Sequence, residues 1–269
     1  MSSISDRLAE LRKQDGLMFF ASVALALFVI ILTSFIVQRS FLKSKKRNIL
    51  ILGPKESGKT NLFYYVTTGK LPVLTVTSIE PNTGTLKLRH TPFGENFSDV
   101  VIRDFPASSK LKNLYLYPFL KDNLHSCRGI VYVIDSSIFS GEYCNKVAND
   151  LLDLLQITES IPNGVDIALF CNKCDYFTSR KPEKVQTMLE EEITKLYRLK
   201  LKNLSKVTKP GEEEEAQDED GLEEVLNSAF NRGEFKFEML EANIDFLEGN
   251  VFKGNTEQLT NWFCEKAAN

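Results

Sequence analysis

The feature that most constrains the fold is a glycine-rich segment between a short apolar run and a helical pattern. Residues 48–52 (NILIL) have the composition of a buried strand and lead directly into 53–60 (GPKESGKT), which fits G-x-x-x-x-G-K-T. Glycine lets such a loop wrap closely, so that backbone N–H groups and the start of the next helix face phosphate oxygens. The order strand, loop, helix therefore predicts a phosphate-binding P-loop.

Two side chains of this loop have specific expected roles. Lys59 supplies a positive charge to the β- and γ-phosphates, and the Thr60 hydroxyl ligates Mg²⁺. We expect the phosphates to contact the loop and the first residues of the helix: Gly53, Pro54, Lys55, Glu56, Ser57, Gly58, Lys59, Thr60 and Asn61. The pattern arises by chance in about one chain per hundred of this length, and its strand–helix setting reduces that further.

A second motif concerns the base. Residues 165–170 (VDIALF) predict another buried strand, which runs into the tetrad Asn172-Lys173-x-Asp175 about 110 residues after the P-loop. A carboxylate such as Asp175 accepts from the ring N1–H and the exocyclic amine of guanine together, a pair that adenine does not offer. Leaving buried polar groups unpaired rejects the wrong base. The tetrad resembles the guanine-specificity motif of Ras-like GTPases, so Asn172, Lys173 and Asp175 are predicted guanine-binding residues.

Two segments between these motifs are expected to contact Mg²⁺ and the γ-phosphate. Residues 104–107 (DFPA) look like the D-x-x-G switch of the same superfamily. Asp104 stands where the metal is held through water, and Ala107 stands where a glycine donates its backbone N–H to the γ-phosphate. The earlier segment is 75–80 (TVTSIE). In it, Ser78 is the expected Mg²⁺ ligand, with Thr77 as an alternative. A polar surface loop is the competing interpretation of that earlier segment.

Departures from the Ras-like pattern limit what the chain is expected to catalyse. Ser108 replaces a water-positioning glutamine or histidine and is too short to orient an attacking water in the same way. We expect at most slow intrinsic GTP hydrolysis and assign no catalytic residue. The loop after the last predicted strand should contact the base, yet 249–252 (GNVF) does not match the usual S-A-K. Only Asn250 is carried over as a guanine-binding residue.

An uncharged apolar run covers residues 17–37, which is 21 positions. At 1.5 Å per residue the run spans about 30 Å, the thickness of a bilayer core. A core helix would show a polar face, and a signal peptide would be shorter, with a basic start and a cleavage site. We therefore expect a transmembrane helix after a short lumenal N-terminus, 1–16. The basic juxtamembrane linker, 38–47, contains no acidic residue, which places the domain 48–269 in the cytosol.

Strand-like and helical patterns alternate over 48–269. The predicted strands are 48–52, 84–90, 99–104, 129–135, 165–171 and 244–248, and the predicted helices are 59–68, 110–125, 143–158, 182–204 and 256–267. This alternation predicts an α/β fold, a P-loop NTPase of small-GTPase type with a mostly parallel six-stranded sheet and helices on both faces, preceded by one transmembrane helix. The acidic stretch within 206–230 predicts a disordered insertion.

Charge and cysteine content exclude some classes of function. The net charge of −3 gives no basic excess over the chain, so we expect no direct nucleic-acid binding. Five scattered cysteines do not form a disulfide framework, which favours a reducing compartment. Cys171 and Cys174 form a C-x-x-C pair without a second pair or a nearby histidine. This spacing therefore favours two small apolar residues beside the guanine motif over a zinc or redox site.

The combination resembles the family of signal recognition particle receptor beta subunits. The resemblance rests on the apolar span, the basic linker, Glu56 in the P-loop, T-S-I at 77–79, D-F-P at 104–106, the N-K-x-D tetrad and a long insertion before F-L-E at 246–248. The fold of that family is that of Ras-like and ADP-ribosylation-factor-like GTPases. Membership implies GTP and Mg²⁺ as cofactors, a single-pass endoplasmic reticulum location, and GTP-dependent binding of the receptor alpha subunit. The ribosome and the translocon are further candidate partners.

Two other functions compete with this interpretation. One is a different membrane-anchored small GTPase of vesicle trafficking, which measured turnover would distinguish. The other is a nucleotide-independent membrane anchor. The intact Lys59, Thr60, Asn172 and Asp175 argue against that anchor, because a purely structural loop needs none of these side chains.

Overall fold

The computed structural model describes residues 26–28, 30, 33–34, 47–89, 97–207, 230–231 and 233–268. The chain divides into two units, Met1–Lys45 and Lys46–Asn269. In the first unit the described residues are helical, while the rest of the predicted span 17–37 and its flanks lie outside the described residues. Among the described residues, no helix combines the length and the apolar character that a membrane crossing requires. The transmembrane helix stays a prediction.

The second unit alternates strands and helices as predicted. Its strands and main helices are β1 (Asn48–Leu52), α1 (Lys59–Thr68), β2 (Asn82–Arg89), β3 (Phe97–Asp104), α2 (Tyr117–Asn123), β4 (Cys127–Asp135), α3 (Gly141–Thr158), β5 (Ile167–Asn172), α4 (Pro182–Val207), β6 (Phe230–Asn231), β7 (Glu234–Phe235), β8 (Ile244–Glu248) and α5 (Glu257–Ala268). The six long predicted strands and the helices match these bounds within a few residues, except around α2.

A six-stranded sheet organises this unit, in the order β2-β3-β1-β4-β5-β8. Along this order β3, β1, β4, β5 and β8 pair in parallel, and β2 runs antiparallel to β3 from Asn82↔Asp104 to Arg89↔Phe97. The predicted mostly parallel sheet is confirmed. In an open parallel sheet, ligands bind outside the carboxyl ends of the strands, where neighbouring connections leave to opposite faces.

Side chains of successive residues in β1 point to opposite faces of the sheet, and both faces are covered. Leu50 and Leu52 belong to a cluster with residues of α3 and α4, while Ile49 and Ile51 pack in a second cluster with α1 and α5. All four are buried, and each such side chain stabilises the fold by about 1.5–3 kcal/mol. Helices on both faces, as predicted, fix the carboxyl edge of the sheet in place.

The predicted helix 110–125 is interrupted. It consists of one α turn (Ser109–Leu111), a π-helical segment (Lys112–Leu116), α2 and a 3₁₀ turn (Leu124–Ser126). Pro118 explains part of the irregularity, because proline has no N–H to donate to the carbonyl four residues earlier. The buried Lys112 also donates to Asp150 of α3 at 2.7 Å. The hydrophobic periodicity of the sequence did not predict that contact.

The acidic insertion lies mostly outside the described residues, from 208 to 229. On its two sides, α4 continues to Val207 and β6 begins at Phe230. The small β6–β7 hairpin was not predicted, because each strand has only two residues. The backbone N–H of Phe235 donates to Thr194 of α4 at 2.9 Å, and Lys236 pairs with the buried Glu190 at 2.7 Å. These contacts attach the returning chain to α4.

Candidate nucleotide-binding site

The predicted site segments meet at the carboxyl edge of the sheet. The P-loop follows β1, Asp104 ends β3, and Asn172 ends β5. The parallel register supports this convergence, since Ile51 pairs with Asp104, and Asp135 of β4 pairs with Asn172. A cavity of about 280 Å³ opens at this edge.

Most of the predicted binding residues line this cavity. They are Lys55, Glu56, Gly58, Lys59, Thr60, Asn61, Ser78, Ala107, Asn172 and Lys173. The lining also contains Thr77, the alternative to Ser78, and residues to which the sequence assigned no binding role, namely Thr75, Val76, Phe105, Pro106, Val251 and Phe252. The cavity thus joins the phosphate motif, both switch segments and the guanine motif.

The conformation of the P-loop depends on two glycines with positive φ. Gly53 has φ 135° and Gly58 has φ 97°. A Cβ on Gly53 would lie 2.3 Å from the carbonyl oxygen of Val133, and one on Gly58 would lie 2.4 Å from Nδ2 of Asn172. Both distances are too short for any side chain, so the motif glycines are required by close packing as well as by backbone conformation.

Lys59 is held in the loop as a buried cation. Its Nζ donates to the carbonyl oxygen of Pro54 at 2.7 Å, and Ser57 Oγ donates to the same oxygen at 3.1 Å. Burial lowers the pKa of Lys59 to about 8, and the negative charge of Asp104 opposes this shift only partly. An anionic oxygen in the cavity would restore the stability of the ammonium form, as expected for a phosphate-binding lysine.

The three predicted Mg²⁺ residues come together. Thr60 Oγ1 donates to Asp104 Oδ2 at 2.9 Å and lies 3.3 Å from Ser78 Oγ. Asp104 is buried, and burial raises the pKa of its carboxyl group. Its Oδ1 is buried with no hydrogen-bond partner in the described part of the chain. An oxygen-only donor set with one unused carboxylate oxygen fits Mg²⁺ and its bound water.

The guanine motif also fixes the loops around it. Asn172 Nδ2 donates to the carbonyl oxygen of Ser57 at 2.8 Å, and Asn172 Oδ1 accepts from the backbone N–H of Val251 at 3.1 Å. Lys173 donates to the carbonyl oxygen of Glu56 at 2.9 Å and forms an ion pair with Asp135. These two residues of the motif therefore tie the P-loop to the ends of β4, β5 and β8.

The carboxylate predicted to recognise the base, that of Asp175, lies beside the loop after β8. Asp175 Oδ2 is 3.2 Å from Lys253 Nζ. Asn250 is buried, and its side-chain oxygen accepts from the backbone N–H of Lys253 at 3.1 Å. In the part of the chain that the structure describes, Val251 and Phe252 line the cavity, and Asn250 and Asp175 do not. Base contact by Asn250 stays a prediction.

Sequence reasoning missed three residues of the site. Asp135 partners Lys173, Lys253 partners Asp175, and Asn82 donates to Asp104 at 3.1 Å. Asp135 had a detectable signal, since it ends a buried strand as Asp104 and Asn172 do. Asn82 and Lys253 had none, because the carboxylates they contact, Asp104 and Asp175, are distant in sequence.

The C-x-x-C pair shows no metal-binding arrangement in the described residues. No group of three or more His, Cys, Asp or Glu side chains in that part of the chain is placed to hold a metal ion. Cys171 is buried in β5, and burial raises the pKa of its thiol to about 12. The thiolate needed for metal or redox chemistry is therefore disfavoured at neutral pH.

Comparison with known proteins assigns the family. The family model of the signal recognition particle receptor beta subunit matches residues 44–244. The chain belongs to this family. The beta subunit of Saccharomyces cerevisiae is 34% identical over 225 residues, covering 83% of this chain and 86% of the yeast protein. The Mus musculus subunit is 27% identical over 269 residues, covering 96% of this chain and 90% of the mouse protein.

Solved structures show the same fold. The mammalian signal recognition particle receptor matches with a TM-score of 0.64 at 24% identity, covering 82% of this chain and 100% of that chain. The SRb-GTP/SRX complex from Chaetomium thermophilum matches with a TM-score of 0.58 at 18% identity, covering 82% of this chain and 98% of that chain. The small-GTPase-like α/β fold expected for the family is thereby confirmed.

Proposed function

We propose that this chain is the GTP-binding subunit of a signal recognition particle receptor. In its GTP-bound state it recruits the receptor alpha subunit to the endoplasmic reticulum membrane for co-translational protein targeting. One observation carries the proposal: residues of the P-loop, of both switch segments and of the N-K-x-D tetrad line one cavity, among them Lys59, Thr60, Ser78, Ala107, Asn172 and Lys173. The family relationship supplies the receptor context.

Each part of the site has a role in nucleotide binding. Lys59 and the P-loop backbone bind the phosphates, while Thr60, Ser78 and Asp104 hold Mg²⁺. When bound there, the metal would supply positive charge that neutralises the phosphate oxygens. Asp175 accepts from the guanine edge, and the contacts of Asn172 and Lys173 hold the P-loop near the base.

An exposed apolar segment near the site suits partner recruitment. Val73, Leu74, Val76 and Ile79 precede or flank Ser78 and are 73–99% exposed. A patch of this kind is typical of protein interaction sites. Contacts of Ser78 with metal and phosphate would fix this segment in the GTP-bound state, so that alpha-subunit affinity depends on the nucleotide.

Hydrolysis is expected to be slow. Ala107 lines the cavity in the place of the switch glycine, and Ser108 precedes the helical turn Ser109–Leu111. The serine side chain is too short to orient an attacking water as glutamine does. The chain therefore acts mainly as a GTP-dependent platform.

Membrane attachment is the remaining part of the proposal. Residues 17–37 form a single-pass anchor, and the basic linker 38–47 keeps the nucleotide domain on the cytosolic side of the endoplasmic reticulum. This location brings the domain near the ribosome and the translocon, which we propose as indirect partners through the receptor.

The test is nucleotide content, specificity and partner binding of the full-length chain purified in detergent. We expect submicromolar GTP and GDP binding, phosphate release slower than about one per minute, and alpha-subunit capture with GTP only. Asp175→Asn should weaken GTP binding about 100-fold and improve binding of xanthosine triphosphate, whose C2 carbonyl replaces the amine that the carboxylate recognises.

Other results would overturn parts of the proposal. Ready turnover without alpha-subunit capture would favour a cycling GTPase of vesicle trafficking. Capture of the alpha subunit to the same extent with and without GTP, together with no guanine-nucleotide binding, would favour a nucleotide-independent anchor. Glu142→Gln, an exposed change in α3, serves as the control for Asp175→Asn.

A further inference from the structure

Asn82 occupies the first position of β2, opposite Asp104 in the antiparallel pairing. Its side-chain Nδ2 donates to Asp104 Oδ2 at 3.1 Å and to Ser78 Oγ at 3.4 Å. One amide thus connects two of the expected metal-binding residues. It joins the start of β2 and the segment before it to the carboxyl end of β3.

The two oxygens of Asp104 have different environments. Oδ2 accepts from both Thr60 and Asn82. Oδ1 is buried and has no hydrogen-bond partner in the described part of the chain. Donors on one oxygen fix the rotation of the carboxylate, so the other oxygen could accept from a water that Mg²⁺ would hold.

Asn82 differs from its neighbours in how it can act. The Thr60 and Ser78 hydroxyl oxygens are themselves expected Mg²⁺ ligands. The Asn82 Nδ2 group carries only hydrogen-bond donors and cannot ligate a cation. Its contribution to the metal must therefore pass through Asp104 and Ser78.

We propose that Asn82 is a positioning residue of the Mg²⁺ site, which holds Asp104 and Ser78 in the arrangement that binds the metal. This inference rests on the proposed nucleotide-binding function. Its consequence is specific: loss of the amide lowers the affinity of the nucleotide complex for Mg²⁺ and leaves nucleotide binding without metal nearly unchanged. The backbone pairing of β2 with β3 does not depend on the side chain.

The experiment measures release of fluorescent GDP from the full-length chain over a range of free Mg²⁺, from excess EDTA to millimolar metal. In the wild type, release should be fast in EDTA and slow with Mg²⁺. Asn82→Ala should raise the Mg²⁺ concentration for half-maximal slowing about tenfold, as expected for loss of a hydrogen bond to a charged group. Release in EDTA should change less than about twofold.

Two further variants make the test independent of folding. Asn82→Val also lacks the donor but favours a strand, so it should give the same shift if the alanine variant is unstable. Asn149→Ala removes an amide in α3 that bonds within its own helix to Asn145, and it should leave the Mg²⁺ dependence at the wild-type value.

The outcomes separate the two proposals. An unchanged half-maximal Mg²⁺ concentration in both Asn82 variants would overturn the positioning role. Equal acceleration in EDTA and in Mg²⁺ would also overturn it, since Asn82 would then support the fold rather than the metal. Failure of the wild type to bind guanine nucleotide would instead reject the proposed function.

Discussion

At the scale of single residues, Lys59, a candidate phosphate-binding residue, lowers the stability of the folded chain. Its ammonium group is buried, and burial lowers its pKa from 10.5 to about 8. In the unfolded chain the lysine keeps its proton until about pH 10.5. Because the unfolded state binds the proton more tightly, the free energy of unfolding rises between pH 8 and 10.5, and the full destabilisation is present below pH 8.

Lys59→Met should therefore stabilise the protein while abolishing its function. We expect the free energy of unfolding of nucleotide-stripped protein to rise by about 2 kcal/mol at pH 7, and GTP affinity to fall at least about 100-fold. Denaturant unfolding at several pH values measures the first effect, and the stability gain of the variant should shrink above pH 8.

Lys70→Met is the matched control, because Lys70 is exposed just after α1. This variant should change neither the stability nor the GTP affinity. A Lys59→Met protein that is less stable than the wild type at pH 7 would contradict the burial argument.

At the scale of elements, the P-loop and the loop that follows β5 pack against each other and hydrogen-bond. Asn172 donates to the carbonyl oxygen of Ser57, and the space between the two loops is closed at Gly58. The P-loop and the N-K-x-D tetrad are thus joined into one structural element, although more than a hundred residues separate them in the chain.

Gly58→Ala tests this packing against a matched glycine. Both Gly58 and Gly69 have positive φ, of 97° and 70°, but a Cβ on Gly69 meets nothing within 4 Å. Gly69→Ala should cost about 1 kcal/mol from the backbone conformation alone and keep GTP binding. Gly58→Ala should cost at least about 1 kcal/mol more and lose GTP binding, because its methyl group displaces Asn172.

Thermal unfolding and GTP titration measure both variants. Similar losses of stability in the two, with GTP binding retained in Gly58→Ala, would show that the loops do not depend on this contact.

At the scale of the whole molecule, both apolar clusters lie in the unit Lys46–Asn269. We therefore predict that a fragment of residues 46–269 unfolds cooperatively and binds GTP within about twofold of the full-length chain. In cell membranes treated with alkaline carbonate, the full-length chain should sediment and the fragment should stay in the supernatant.

Full-length chain released by carbonate would contradict the predicted span 17–37. A fragment that does not fold would contradict its independence from the N-terminal unit. Replacing Leu27 and Ile30 by arginine in the full-length chain tests the span directly, since each charge costs about 3 kcal/mol at the centre of a bilayer.

The sequence by itself determined the P-loop, the order of the main strands and helices, and the convergence of the motifs at one sheet edge. These features depend on local properties, such as the conformational freedom of Gly53 and Gly58 and the periodicity of apolar residues. The carboxyl ends of parallel strands lie at one edge, so Lys59, Asp104 and Asn172 could be placed together before the structure was known.

Tertiary structure alone decided the contacts between distant segments. These include the ion pair of Asp135 with Lys173 and the register that places Asn82 opposite Asp104. They also include the two hydrogen bonds of the Asn172 side-chain amide, to Ser57 and to Val251. The π-helical turn at Lys112–Leu116 belongs with them, since Lys112 reaches Asp150 on another helix. Each of these features depends on a hydrogen bond or ion pair whose partner is defined only after the chain has folded. Local propensity therefore does not predict it.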